Sequence, residues 1–276
     1  MNKISLEFNE KIEETMLGPL WARAKYSQLY PELLNDFKAI EIIKNVDYDF
    51  SNIETYLGEW RGLGLLVRAK NFDMAVKEFI ESHPSATIVN IGAGLDTTFY
   101  RVDNGTIKWY DLDLPSAIIF RKKFLSESER NKFIPKSALD YSWFDEINYD
   151  LNNGIFFIAG GFVYYFEEEK ISSLVIEMAK RFPKAELIFD ATSKLANQVV
   201  NLRAKKAGEK DLRFHFGVGN PTKIFPKWSS KIQLHDWYTI WGRTELNPSW
   251  SGEIISAIKK SERIKAAKII HLKFVE

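Results

Sequence analysis

The sequence predicts an α/β fold: a doubly wound, mostly parallel, seven-stranded sheet with a helical extension ahead of it. Three observations carry that prediction. Short apolar runs at Ala86–Ile91, Ile107–Leu112, Ile155–Ala159 and Glu186–Asp190 alternate with helix-like segments, and such alternation belongs to parallel sheets. These runs lack in–out alternation, as strands covered on both faces do. The first of them enters Gly92-Ala93-Gly94 directly, the mark of a buried strand turning tightly.

Taken in order, residues from about Leu6 to Lys44 read as helical, with Pro19 and Pro31 marking breaks or helix starts because proline lacks the amide donor of an interior turn. Asn45 to Asn52 is polar and aromatic and suits a loop. Leu57–Ser82 is a long helix. Its apolar positions, among them Leu63, Leu66, Val67, Phe72, Val76 and Phe79, recur at threes and fours, so one face is buried. His83-Pro84 ends it. After the first two strands a helix begins near Pro115, where proline costs nothing. Lys132–Pro135 is a short third strand, and Glu167–Arg181 is the helix behind the fourth. Residues 192–228 break the rhythm with Lys- and Gly-rich sequence, which reads as an insertion or lid. Ile232–Ile240, a helix near Gly252–Ile264 and the strand Ala267–Val275 complete the sheet. A chain of 276 residues packs around one core, so a single domain is expected.

Composition narrows the function classes. Lys plus Arg number 38 against 37 Asp plus Glu, for a net charge of +1. No field gathers phosphates, and nucleic acid is not an expected partner. Cysteine is absent, which excludes disulfides, thiolate metal sites and a Cys nucleophile. The four histidines, His83, His215, His235 and His271, lack zinc-ligand spacing, and no metal is expected. No stretch approaches the roughly 20 apolar residues of a membrane span, and the amino terminus carries acids without a signal-peptide core. A cytoplasmic protein with no membrane partner is the expectation.

The sharpest motif is Val89-Asn90-Ile91-Gly92-Ala93-Gly94-Leu95-Asp96-Thr97. A strand ending in Gly-x-Gly lets the backbone approach a ligand closely. Asp111 follows Gly92 by 19 residues, with Asp113 just beyond, where a carboxylate meets ribose hydroxyls. These features suit a dinucleotide or an adenosyl cofactor. Thr97 stands where a dinucleotide fingerprint has its third glycine. Asp96 would repel pyrophosphate at a helix N-terminus yet suits a cofactor bearing ammonium and sulfonium groups. Both details favour the adenosyl cofactor. Asp140, after the third strand, either accepts from the adenine amino group or caps the turn that follows.

Six blocks together resemble a known family: Leu20-Trp21-Ala22-Arg23-Ala24, Val46-Asp47-Tyr48-Asp49-Phe50, Gly92 to Thr97, Trp109-Tyr110-Asp111-Leu112-Asp113-Leu114-Pro115, Leu139-Asp140-Tyr141-Ser142-Trp143 and Tyr165-Phe166. From about Thr15 onward the chain resembles the leucine carboxyl methyltransferases, most closely the bacterial branch of O-methyltransferases tied to polyketide-type secondary metabolism. The resemblance implies a class I methyltransferase fold, with residues 1–55 as a helical cap over S-adenosylmethionine. It implies that Arg68 pairs with the carboxylate of the cofactor's methionine part, with Arg23 and Lys25 within reach of the same group. It places Gly92, Ala93, Gly94 and Asp96 along the cofactor, Asp113 and Asp111 at the ribose, and Leu139 with Asp140 at the adenine. It also places Gly160 beside the cofactor's amino group, where the family carries an acid in Ala-Glu-Gly and this chain reads Ala159-Gly160-Gly161.

The expected activity is methyl transfer to a hydroxyl or carboxylate of a small-molecule acceptor. The missing acid motivates the alternative of a catalytically idle, cofactor-binding partner subunit. An anionic carboxylate needs no base, whereas a hydroxyl benefits from one. The candidates are His215, His235 and Asp190; a share of Tyr164, Tyr165, Phe166, Phe214, Phe216, Trp228, Trp237, Tyr238 and Trp241 is expected to line the acceptor pocket, Tyr165 foremost, with most of the others in the core.

Overall fold

A computed structural model describes residues 4–5, 11–206 and 213–276. The expected helical stretch at 6–10 and the lid stretch at 207–212 lie outside the described residues.

The chain begins with β1 (Ile4–Ser5), which pairs in parallel with β2 (Val46–Asp47). Between and after them come α1 (Lys11–Leu29), α2 (Phe37–Lys44) and α3 (Ser51–Ser82). The main body then follows: β3 (Thr87–Ile91), α4 (Phe99–Val102), β4 (Lys108–Asp113), α5 (Pro115–Arg121), β5 (Asn131–Pro135), β6 (Ile155–Ala159), α6 (Glu168–Arg181), β7 (Glu186–Thr192), α7 (Lys194–Lys206), α8 (Pro221–Ile224), β8 (Ile232–Thr239), α9 (Gly252–Arg263) and β9 (Ala267–Phe274).

Seven strands form one sheet in the order β5-β4-β3-β6-β7-β9-β8. β3 to β7 pair in parallel, and β9 runs antiparallel between β7 and β8. Chain order reverses between β3 and β6, so their carboxyl ends frame the crevice where open α/β sheets take ligands. β3 and β6 are buried at every position, which explains their uninterrupted apolar sequence. On one face Val89, Phe157, Leu187 and Leu272 pack on Ile171, Leu174 and Met178 of α6. On the other, Ile88, Phe156 and Ile188 pack on Phe72, Val76 and Phe79 of α3 and on α4.

Three local expectations are corrected. Pro19 lies inside α1 without ending it. Leu17, Leu20, Ala22 and Ala24 are fully or almost fully buried around it, and that packing outweighs the roughly 3 kcal/mol cost of an interior proline. The stretch Asn45–Asn52 is not all loop, since it holds β2 and the start of α3. α3 therefore begins at Ser51 and passes Gly58 with non-helical φ 58° and ψ 177°, a conformation glycine adopts without a Cβ penalty. Residues 192–228, read as an insertion or lid, hold the helix α7. Among the described residues, no helix is long and apolar enough to cross a membrane.

Candidate active site

The carboxyl ends of β3, β4 and β6, with α1 and α3, enclose a cavity of about 300 Å³. One wall is the turn after β3. Gly92 (φ +68°) and Gly94 (φ +46°) occupy the left-handed region, which strains a residue carrying a Cβ. A Cβ on Gly92 would stand 2.7 Å from the Phe162 ring, and one on Gly94 would stand 3.0 Å from Met16 Sδ. Bare backbone is therefore what faces the cavity there.

Asp113 closes the end of β4 onto this turn. Its Oδ2 accepts from Gly94 N at 2.7 Å and its Oδ1 from Leu114 N at 2.7 Å. Burial raises its pKa against those bonds. A carboxylate offers about four lone-pair sites, so about two remain on a group that lines the cavity.

Beneath the turn, buried arginines and carboxylates lock the backbone. Arg121 donates to Gly94 O (2.9 Å), Asp96 O (2.8 Å) and Asp111 Oδ2 (2.6 Å). Asp111, fully buried, also accepts from Trp109 Nε1 and Asn90 Nδ2. Arg23 donates to Asp36 Oδ2 (2.8 Å) and Leu95 O (2.9 Å). Arg101 grips Asp73 through two bonds of 2.7 and 2.8 Å and reaches Asp36 Oδ2 at 2.7 Å. Burial works to raise the pKa of Asp96, but Arg23 and Arg101 outweigh it, and the net shift is downward. Asp96 therefore keeps a negative charge in the wall.

Arg68 of α3 stands on the other side. Its NH1 reaches Tyr164 Oη and Asp190 Oδ2, each at 3.4 Å. Burial disfavours its charge, Asp190 restores it, and its pKa rises on balance. Asp190 also accepts from Gly161 N at 2.6 Å. Tyr165 lines the cavity and is 41 % exposed. Phe214 stacks on Tyr164 with centroids 4.1 Å apart.

Of the residues expected at the site, Arg23, Arg68, Gly92, Ala93, Gly94, Asp96, Asp113, Gly160 and Tyr165 line the cavity. Others are not brought there. Asp111 lies beneath the turn, sealed by Arg121. Lys25 pairs with Glu54 and sits over Trp21. Leu139 packs against the core. Asp140 is exposed and caps the short 3₁₀ turn Tyr141–Glu146 through Ser142 N at 3.1 Å, while Ser137 and Ala138 occupy the wall. His215 lies outside the lining, its Nδ1 2.6 Å from Glu167 Oε1, and its amide donates to Tyr164 O at 2.7 Å. His235 faces a separate pocket with His271. Sequence reasoning missed Met16 and Phe162 in the wall and Asp36, Asp73, Arg101 and Arg121 behind it. The aromatic run Phe162–Phe166 held a signal for the first group, whereas Asp36 and Arg101, 65 residues apart, offered none.

Comparison with known proteins matches the leucine carboxyl methyltransferase model at residues 17–179. The chain is 29 % identical over 218 residues to the tetracenomycin polyketide synthesis O-methyltransferase TcmP of Streptomyces glaucescens, covering 77 % of each chain. It is 25 % identical over 206 residues to the S-adenosyl-L-methionine-dependent methyltransferase dpfgK of Gibberella zeae, covering 68 % of this chain and 69 % of that one. Among solved structures, a DUF574 family protein of Streptomyces avermitilis shares the fold, with a TM-score of 0.59 at 11 % identity over 82 % of this chain and 88 % of that one.

Proposed function

The chain belongs to the leucine carboxyl methyltransferase family, and we propose that it transfers the methyl group of S-adenosylmethionine to an oxygen of a small acceptor of polyketide type. One observation carries this reading: a glycine turn, a carboxylate with spare lone pairs and a guanidinium with spare donors share a single cavity.

The residues fit that cofactor. A guanidinium presents five donors in a planar fork, and Arg68 has two long contacts among the described residues. It is the group to take the carboxylate of the methionine part, with Arg23 lending positive charge from α1. Asp113 is the group for the ribose hydroxyls. Asp96 places negative charge in the wall that faces the cationic donor, and Gly92, Ala93 and Gly94 give it bare backbone. A Cβ at Gly160 would stand 2.8 Å from Phe72 Cε2, so an aromatic ring fills the space a family acid would enter. With Asp96 and Asp113 supplying carboxylates, the idle-subunit alternative loses its motive.

When bound, the cofactor supplies an electrophilic methyl group on sulfur and leaves as a neutral thioether that needs no protonation. The chain then has to hold the acceptor oxygen in line and exclude water. Phe162, Tyr165 and Phe166 give the mouth an apolar, aromatic surface, suited to a planar acceptor. A carboxylate acceptor reacts without further help. For a hydroxyl acceptor, His215 is the candidate base, with its Nδ1 2.6 Å from Glu167 Oε1 and its amide bonded to Tyr164 O of the cavity wall. In this reading residues 1–55 act as a cap, because α1 contributes Met16, Pro19 and Arg23 to the wall. Residues 192–228 act as a lid support, because Phe216 N donates to Phe166 O at 3.0 Å.

Calorimetry with S-adenosylhomocysteine, followed by transfer of labelled methyl from S-adenosylmethionine to a panel of aromatic hydroxy acids, tests this function. Binding with acceptor-dependent label transfer is expected. Binding of NAD with none of the adenosyl thioether would overturn it.

A further inference from the structure

Asp190, at the end of β7, divides its two oxygens between different tasks. Oδ1 accepts from Gly161 N at 2.6 Å, and Oδ2 faces Arg68 NH1 at 3.4 Å. The side chains of Arg68 and Asp190 are 13 % and 7 % exposed. Gly161 takes φ +74°, and a Cβ there would stand 3.0 Å from Arg68 NH1 and 3.3 Å from Tyr164 Oη. The guanidinium thus rests directly on the turn that Asp190 fastens. Among the described residues Asp190 is the carboxylate paired with Arg68. A buried guanidinium stripped of its counter-charge is strongly disfavoured and moves toward water.

We infer that Asp190 is a positioning residue for Arg68: it fastens the Gly160–Gly161 turn and holds the guanidinium against the cavity wall with donors free for a ligand carboxylate. This rests on the reading that Arg68 receives the carboxylate of the cofactor. It goes beyond that reading by separating ligands with an amino-acid tail from ligands without one. Asp190 sets affinity for the first kind and leaves the second untouched, since the nucleoside end is held by Asp113 and the glycine turn.

The test compares two probes on the full chain by calorimetry. S-Adenosylhomocysteine carries the amino-acid tail, and 5′-methylthioadenosine is the same nucleoside thioether without it. Asp190→Asn removes the charge and keeps an oxygen for Gly161 N–H. It is expected to weaken S-adenosylhomocysteine about tenfold, as loss of one charge-assisted contact does, and to change 5′-methylthioadenosine less than about twofold. In an Arg68→Met background, Asp190→Asn should add nothing to the S-adenosylhomocysteine loss, because coupling vanishes once the shared partner is gone. Equal weakening of both probes would mean a merely structural role and would overturn the inference. So would unchanged or tighter S-adenosylhomocysteine binding, or a full additional loss in the double variant. If Asp190→Asn does not fold, Asp190→Glu, which keeps the charge but moves the carboxylate by one methylene, takes the same measurements: it is expected to weaken S-adenosylhomocysteine by a smaller factor than Asp190→Asn would and still more than 5′-methylthioadenosine, and equal changes in both probes would overturn the inference. Wild-type protein that binds neither probe overturns the cofactor reading itself, a failure distinct from one in which only the tail dependence is missing.

Discussion

Beneath the glycine turn, Arg23, Arg101 and Arg121 meet carboxylates and carbonyls at 2.6–2.9 Å. Across the cavity, Arg68 makes two contacts of 3.4 Å, to one phenol and one carboxylate. All four guanidiniums are largely buried, with side chains 5 %, 3 %, 1 % and 13 % exposed. They differ in commitment. The first three direct short bonds to the backbone of the turn and to Asp36, Asp73 and Asp111, and so act as internal struts. Arg68 keeps donors in reserve, as a group does when a ligand completes its shell. Burial alone does not separate a strut from a binding group; the length and number of its bonds do.

The largest expected effect tests the strut side. Arg121→Met leaves Asp111 buried without its counter-charge, and losing one partner of a buried pair costs about 3–5 kcal/mol. Chemical denaturation should show that loss, and a cost under about 1 kcal/mol would remove Arg121 from the struts. Next, Arg68→Met should weaken S-adenosylhomocysteine tenfold to about a hundredfold while lowering stability by less than Arg121→Met does, because its two contacts are long, at 3.4 Å. Equal damage to folding would erase the distinction between the two sides. Tyr165→Ala, at a side chain 41 % exposed, should cut turnover by about tenfold with a thermal midpoint shifted by only a few degrees. A collapse of the midpoint would make Tyr165 a core residue.

The smallest effect is a slope. Burial works to raise the pKa of Asp36, but Arg101 and Arg23 outweigh it and hold the carboxyl below its ordinary value. A depressed carboxyl stabilises the fold above its unfolded pKa of about 4, and that stability is lost as pH falls through the lower folded value. Acid titration of stability should therefore be shallower below about pH 4 in Asp36→Asn than in the parent. An identical acid limb in both would show that Asp36 is not an anionic strut.

The sheet was legible because its signals are local. Ala86–Ile91 became Thr87–Ile91, and Glu186–Asp190 became Glu186–Thr192, since an apolar run between a proline or glycine and a turn leaves little freedom. Gly92, Gly94 and Asp113 were legible for the same reason: turn and carboxylate sit at strand ends that the βα rhythm places side by side. The struts were not. Arg101 reads as an ordinary helix charge until Asp73, 28 residues earlier, and Asp36 converge on it. Asp111 and Asp113 look equivalent in sequence and share a face of β4, yet Asp111 lies within the strand, sealed by Arg121, whereas Asp113 is its last residue and reaches the turn and the cavity. Pro19 misled because propensity is a local statement, and the burial that overrides it comes from elsewhere in the chain.

The Phe72 ring at Gly160 ties two distant positions into a single unit of change. Phe72 is 5 % exposed, so its ring has nowhere to retreat, and it lies one helical turn beyond Arg68 on α3. A side chain at 160 requires the Phe72 ring to shift, so a larger residue there is expected to go with a smaller one at position 72. Gly160→Glu alone should misfold or misplace Arg68, whereas Gly160→Glu joined to Phe72→Ala reopens the room. The two sites are thus expected to drift through evolution in step.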